Sequence, residues 1–291
     1  MKPLLAVLCL MALPALAQEG PDTIPSPPAT ANYPFAVGER FNYQVKVGIF
    51  SVGRATMEVM GLDSVRGRET FQLRLTLNGR ALFFSLDDTL MSWTGTRDFH
   101  TYRFLQNNNE DGKVRRRDYH VFPDSGYYRR ANRMDTTYAT VPHPLDDVAF
   151  FYWVRTLPLE VGESYSWDHY FLPDRNPVRI RVLKRQRCEL PHDEKRQCLL
   201  IQPTIKSSGL LSEVADARIL ITDDVDRIPV EVRTRFSFGT LVLKLRGVTR
   251  GAPAPVPAPV PAPVPAPAPV PAPAPAHALL HSQGMPSMLA K

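Results

Sequence analysis

Long apolar runs are scarce in this chain. The longest opens it, and no stretch after Ala17 is long and apolar enough for the helix of roughly 20 residues that spans a membrane. Cysteine is rare, three in the whole chain, with no C-x-x-C pair. There is no G-x-S-x-G, no H-E-x-x-H and no Gly-rich phosphate loop, which removes the common hydrolase, zinc-protease and nucleotide-binding signatures. The seven histidines are dispersed, with His100, His120, His143, His169 and His192 in the body of the chain and no ligand spacing among them. No cofactor, metal site or catalytic residue is therefore expected. His143, close to Asp146 and Asp147, is the best local cluster for acid–base work, but Pro142 and Pro144 flank it as in a rigid loop.

What is present first concerns location. Lys2 supplies a positive charge, Leu4 to Leu16 is apolar, and Ala15-Leu16-Ala17 forms an A-x-A site before Gln18. At about 13 residues this run is too short to span a bilayer, so residues 1–17 read as a cleaved signal peptide and the product as periplasmic or secreted. Cys9 does not make a lipoprotein site, since Leu8 precedes it and apolar sequence follows it. Export makes Cys188 and Cys198 a disulfide, stapling a hairpin whose turn is Leu190-Pro191-His192-Asp193.

Composition then divides the chain. Residues 18–32 are rich in Pro, Ser, Thr and Ala and read as a flexible lead. Residues 33–250 carry the aromatic and β-branched residues and read as one β-rich domain, with two halves meeting near Pro142 to Pro144 as the alternative. Residues 251–276 place Pro at every odd position from Pro253 to Pro275, an extended linker reaching roughly 75 Å at about 3.1 Å per residue. Residues 277–291 are a short tail with apolar Leu279, Leu280 and Met285.

Two-residue alternation dominates the middle zone: Phe41, Tyr43, Val45 and Val47, then Phe71, Leu73, Leu75 and Leu77, then Val178, Ile180 and Val182, then Leu241, Leu243 and Leu245. Each run describes a strand with one buried and one wet face. Turn residues separate about a dozen such runs at hairpin spacing, so the expected fold is mainly β, an antiparallel meander forming a curved or barrel-like sheet. Pro144 to Arg155 breaks the rhythm, with Pro and acids first and Val148, Phe151, Tyr152 and Arg155 at helical spacing. It reads as one short aromatic helix packed across the sheet or plugging its open end. Whether the interior is filled or hollow is open in the sequence.

Several segments resemble a bacterial envelope family catalogued as domain of unknown function 3108. They are Phe35 to Tyr43 with Val52-Gly53-Arg54-Ala55, then Leu145 to Arg155, then Thr222-Asp223-Asp224 with Arg227-Ile228-Pro229-Val230, and Phe238-Gly239. The resemblance implies an exported β-rich domain and no established activity. The Pro-Ala-Val stretch is not part of the usual family pattern.

Two functional readings follow. In one, the curved sheet holds a lipid or other apolar ligand, with Phe151, Trp153 and Arg155 of the helix facing it. In the other, the interior is filled and a basic–aromatic face binds polysaccharide or another envelope protein. That face carries Arg115-Arg116-Arg117, Arg129-Arg130 and Arg133 interleaved with Tyr119, Tyr127 and Tyr128, and Arg116 and Tyr119 represent it as candidate binding residues. The net charge of +6 suits an anionic partner. Export argues against nucleic acid. Asp223, Asp224 and Asp226 read as a turn bonding its own backbone, with calcium as the sharper alternative.

Overall fold

The structure is a computed structural model that describes residues 33–81, 84–206, 211, 216–236 and 239–252. The leader, the flexible lead, nearly all of the Pro-rich stretch and the tail lie outside the described residues. Strong alternation produces strands where it was expected: β1 (Arg40–Val47), β2 (Phe50–Val65), β3 (Arg68–Ala81), β4 (Phe84–Gly95), β5 (Thr101–Glu110) and β6 (Lys113–Phe122). After β7 (Tyr127–Arg130) and β8 (Arg133–Ala139) come α1 (Asp147–Trp153) and β9 (Ser164–Trp167). The rest are β10 (Val178–Glu189), β11 (Lys195–Thr204), β12 (Arg218–Thr222), β13 (Pro229–Phe236) and β14 (Gly239–Thr249). Fourteen strands exceed the dozen read from alternation. Elements such as β8 are mostly exposed and carry no apolar stripe to announce them.

All fourteen belong to one antiparallel sheet in the order β8-β7-β6-β5-β4-β3-β2-β1-β14-β13-β12-β11-β10-β9. Every neighbour is a hairpin partner except β1 and β14, which join the first strand to the last from Arg40↔Thr249 to Val47↔Leu241. The two free edges, β8 and β9, are therefore consecutive in sequence, and the segment linking them carries α1. The inner faces of the early and late strands share one core: Phe41, Leu73 and Phe104 cluster with Ile180, Ile201 and Ile219. A sheet whose distant strands meet on one face is strongly curled. Close backbone approach appears at Gly53, opposite Gly79 on β3, where an added Cβ would stand 2.1 Å from the Asn78 carbonyl oxygen.

The helix fills the curl. Asp146 caps it, its Oδ1 accepting from the Val148 and Ala149 amides at 2.8 and 2.9 Å. Pro144 and Leu145 stay outside the helix because Leu145 is held extended by a bridge to Tyr170. Val148 through Trp153 are all buried, and a 3₁₀ turn over Val154–Thr156 follows. Packing is aromatic: Phe150 meets Phe151 and Trp153, and Trp153 stands edge-on to Trp167 at 4.6 Å.

Cys188 and Cys198 form the disulfide, across the β10–β11 hairpin with Cα atoms 5.8 Å apart. A loop of this size restricts the unfolded chain, so replacing both cysteines with serine should cost about 2–4 kcal/mol. Urea unfolding of the two forms checks this, and an unchanged midpoint would count against it.

Candidate functional site

Near the end of α1, Arg155 is 2% exposed and Glu39 8%. Its Nη1 and Nη2 donate to the Glu39 carboxylate at 2.6 and 3.0 Å, and Nη2 also donates to the carbonyls of Pro34 and Asp226 at 2.6 and 2.9 Å. Phe35, Phe41 and Tyr152 pack their rings around the guanidinium. The sequence reading turns Arg155 toward a ligand held by the sheet; its pairing with Glu39 inside the protein corrects that. With Phe151 and Trp153 each only 3% exposed, the three helix residues expected to face an apolar ligand face protein instead.

The inner face of the sheet changes character along β4–β7. Nearest the helix it carries Phe104, Tyr119, Val121 and Tyr128, all buried. Further toward the β5–β6 turn, alternation keeps the same face inward but the residues become Arg117 and Arg115. Cross-strand partners share a face, and Arg117 lies opposite Gln106, whose Nε2 reaches Asp147 Oδ2 of the helix at 3.2 Å. Arg115 lies opposite Asn108, which is paired in turn with the buried Asp88 and through it with Leu77. On β7, Arg130 lies opposite Tyr119 and rests its guanidinium over Tyr119 and Tyr138 at 5.9 and 5.2 Å.

The segment before β10 closes one flank. Phe171 packs against Phe104, Tyr119 and Tyr128. Beside it, Arg175 Nη1 donates to the Tyr170 hydroxyl at 3.2 Å, and that hydroxyl donates to Asp147 Oδ1 at 3.0 Å. Burial pushes the Asp147 carboxyl above its ordinary range. Arg117 and Arg130 make no ion pair among the described residues, and Arg115 has only a loose one, 3.7 Å to Glu110. Several arginines elsewhere are engaged: Arg74 with Glu58, Arg103 with Asp118, Arg196 with Glu194 and Asp224, Arg250 with Asp226. A groove of about 280 Å³ lined by Gln186, Leu200, Arg218, Leu220, Glu231 and Arg233 has its cations paired as well, Arg218 with Asp216 and Arg233 with Glu231.

Of the basic–aromatic residues singled out in the sequence, Tyr119 therefore belongs to this face. Arg116 does not, because it points the other way, opposite Asn107. Its neighbours Arg115 and Arg117 were the better candidates, and the parity they share with Tyr119 and Val121 was the signal. Arg175 had no local signal, since only the fold brings residues 170–175 to this wall. The acidic turn is occupied by protein: Asp223 meets Arg185 and Arg227, and Asp224 Oδ1 accepts from Thr222 Oγ1 and from the Asp226 and Arg227 amides. This favours the turn over calcium.

Three histidines that looked dispersed are brought together. His100 Nε2 and His143 Nδ1 are 2.8 Å apart, and the His143 and His169 rings are 5.5 Å apart. His169 is buried beside Trp153 and Trp167, its Nε2 without a hydrogen-bond partner among the described residues. Burial, with His143 and His100 adding to it, lowers His169 to about 4. An unfolded histidine takes up a proton near 6.5, so its contribution to stability is complete above that pH. It is lost as pH falls from 6.5 toward 4. Between pH 7.5 and 4.5 the chain should lose about 2–3 kcal/mol more stability than His169→Gln. Equal losses in urea unfolding would contradict this.

Asp146 also meets the neighbouring strands. Burial raises it to about 7, while its Oδ2 accepts from Ser92 and Thr101 hydroxyls at 2.5 and 2.9 Å. With both oxygens engaged it fixes the helix start, the role of a cap.

Comparison with known proteins gives a family and a fold. The family model described as protein of unknown function (DUF3108) matches residues 42–246. The crystal structure of a beta-barrel-like protein of domain of unknown function DUF1849 from Brucella abortus is similar, with a TM-score of 0.51 at 13% identity, over 75% of this chain and 99% of that one. At that identity the likeness concerns the fold alone. No curated protein matches the chain.

Proposed function

This chain belongs to the DUF3108 family of proteins of unknown function, and from that premise, which supplies no activity, we propose that it is an exported, non-catalytic envelope protein that binds an acidic polysaccharide on the inner face of its sheet. The observation that carries this reading is the placement of Arg115, Arg117 and Arg130 on one face with so little internal anionic partnership. Arginine forks match carboxylates and sulfates in geometry, and the rings of Tyr119 and Tyr138 hold Arg130 over the face. The filled space around α1 favours this reading over an apolar ligand, because Phe150, Phe151 and Trp153 occupy the place such a ligand would take. The signal-like leader supports export. The non-catalytic part rests on Asp146, whose oxygens are committed to the helix start and two hydroxyls.

Polygalacturonate, with neutral dextran as control, provides the test. Binding to polygalacturonate should weaken as salt is raised, and Arg117→Glu with Arg130→Glu should weaken it about tenfold or more, equivalent to about 1.4 kcal/mol. Equal binding of dextran, or no response to the paired reversal, would remove the acidic polysaccharide.

A further inference from the structure

The β1–β2 hairpin ends in apolar side chains that nothing among the described residues covers. Gly48 takes φ +59 and turns the chain, Ile49 follows at 87% exposed, and Phe50 opens β2 at 69%. Phe50 pairs with Val47, and Val47 pairs with Leu241 near the start of β14, so this tip stands level with the end of the β13–β14 hairpin. On its other side Gly53 pairs with Gly79, which sets the end of β3 at the same level.

Each of these three neighbouring hairpins brings a cation close to its end: Lys46 on β1, Arg80 on β3 and Arg235 on β13. Arg80 is exposed, and the Arg235 side chain is 70% exposed with only a loose 3.8 Å contact to Asp216.

We propose that the β1–β2 tip is an anchor for an anionic bilayer surface. Ile49 and Phe50 insert at the boundary between headgroups and acyl chains, while Lys46, Arg80 and Arg235 meet lipid phosphates. Two apolar side chains flanked by cations are the combination that holds a protein at a membrane interface without crossing it. This surface lies on different residues from the inner arginine face, so the two can fail separately.

The test is co-sedimentation of the purified chain with vesicles of phosphatidylcholine alone and with 30% phosphatidylglycerol, in low and high salt. The expected result is binding to the anionic vesicles, weaker in salt, that falls at least tenfold in Ile49→Asp with Phe50→Asp and also falls in Lys46→Glu with Arg80→Glu. Both replaced apolar residues are exposed, and a circular dichroism spectrum matching the parent shows that the fold is kept. No preference of the parent for anionic vesicles, or full binding by the Ile49/Phe50 variant, overturns the anchor.

Discussion

Replacing Arg155 with methionine is expected to lower the unfolding free energy by about 3–5 kcal/mol, the scale of an ion pair broken inside a protein. The charge left behind on Glu39 would be 8% exposed. Two carbonyls, those of Pro34 and Asp226, would lose their donor together with the carboxylate. These groups come from three places in the chain: the approach to β1, the end of α1 and the β12–β13 turn. Arg155 therefore ties the helix to the sheet as well as balancing a charge. Adding Glu39→Gln should recover part of the loss, so that the double variant is less damaged than the two single losses added together. Equilibrium urea unfolding of the parent, both singles and the double measures this. A loss below 1 kcal/mol for Arg155→Met would show that the pair is not buried in solution.

Phe150→Ala should be comparably damaging, about 3–5 kcal/mol, because Phe150 is 1% exposed and packs on Phe151 and Trp153. The size of this loss reports on the interior itself. Closely packed surroundings cannot collapse into the space a deleted ring leaves, so the full cost appears. A loss under 1 kcal/mol, accompanied by uptake of an apolar dye in the parent, would mean the curl holds open space. That would return a lipid-like ligand to first place.

The fold was readable where a strand has one dry and one wet face. β1 and β3 announced themselves through Phe41, Tyr43 and Val45 and through Leu73, Leu75 and Leu77, whose burial follows the two-residue period. The helix was readable from Pro144, the acids and the spacing of Val148, Phe151 and Tyr152, although its first turn begins later because Leu145 is engaged in a bridge to Tyr170. β8 was not readable, since an exposed edge needs no apolar stripe. The filled interior was not readable either, because the residues that would line a pocket and those that would plug it are the same aromatics.

The candidate site shows the same division. Glu39 and Arg155 are 116 positions apart, and only the fold joins them. The histidines His100, His143 and His169 had no common spacing because the β4–β5 turn, the approach to α1 and the approach to β10 each supply one. On β6, by contrast, the required information was local. Parity with Tyr119 separates Arg115 and Arg117 from Arg116.

That parity also supplies the most direct measurement. Arg116→Glu and Arg117→Glu change charge identically at adjacent exposed positions and place the change on opposite faces of β6. If the inner face binds acidic polysaccharide, titration with polygalacturonate at low salt should show Arg117→Glu severalfold weaker than the parent and Arg116→Glu near it. Equal losses in the two variants would reduce the interaction to net charge, and the inner-face site would be wrong.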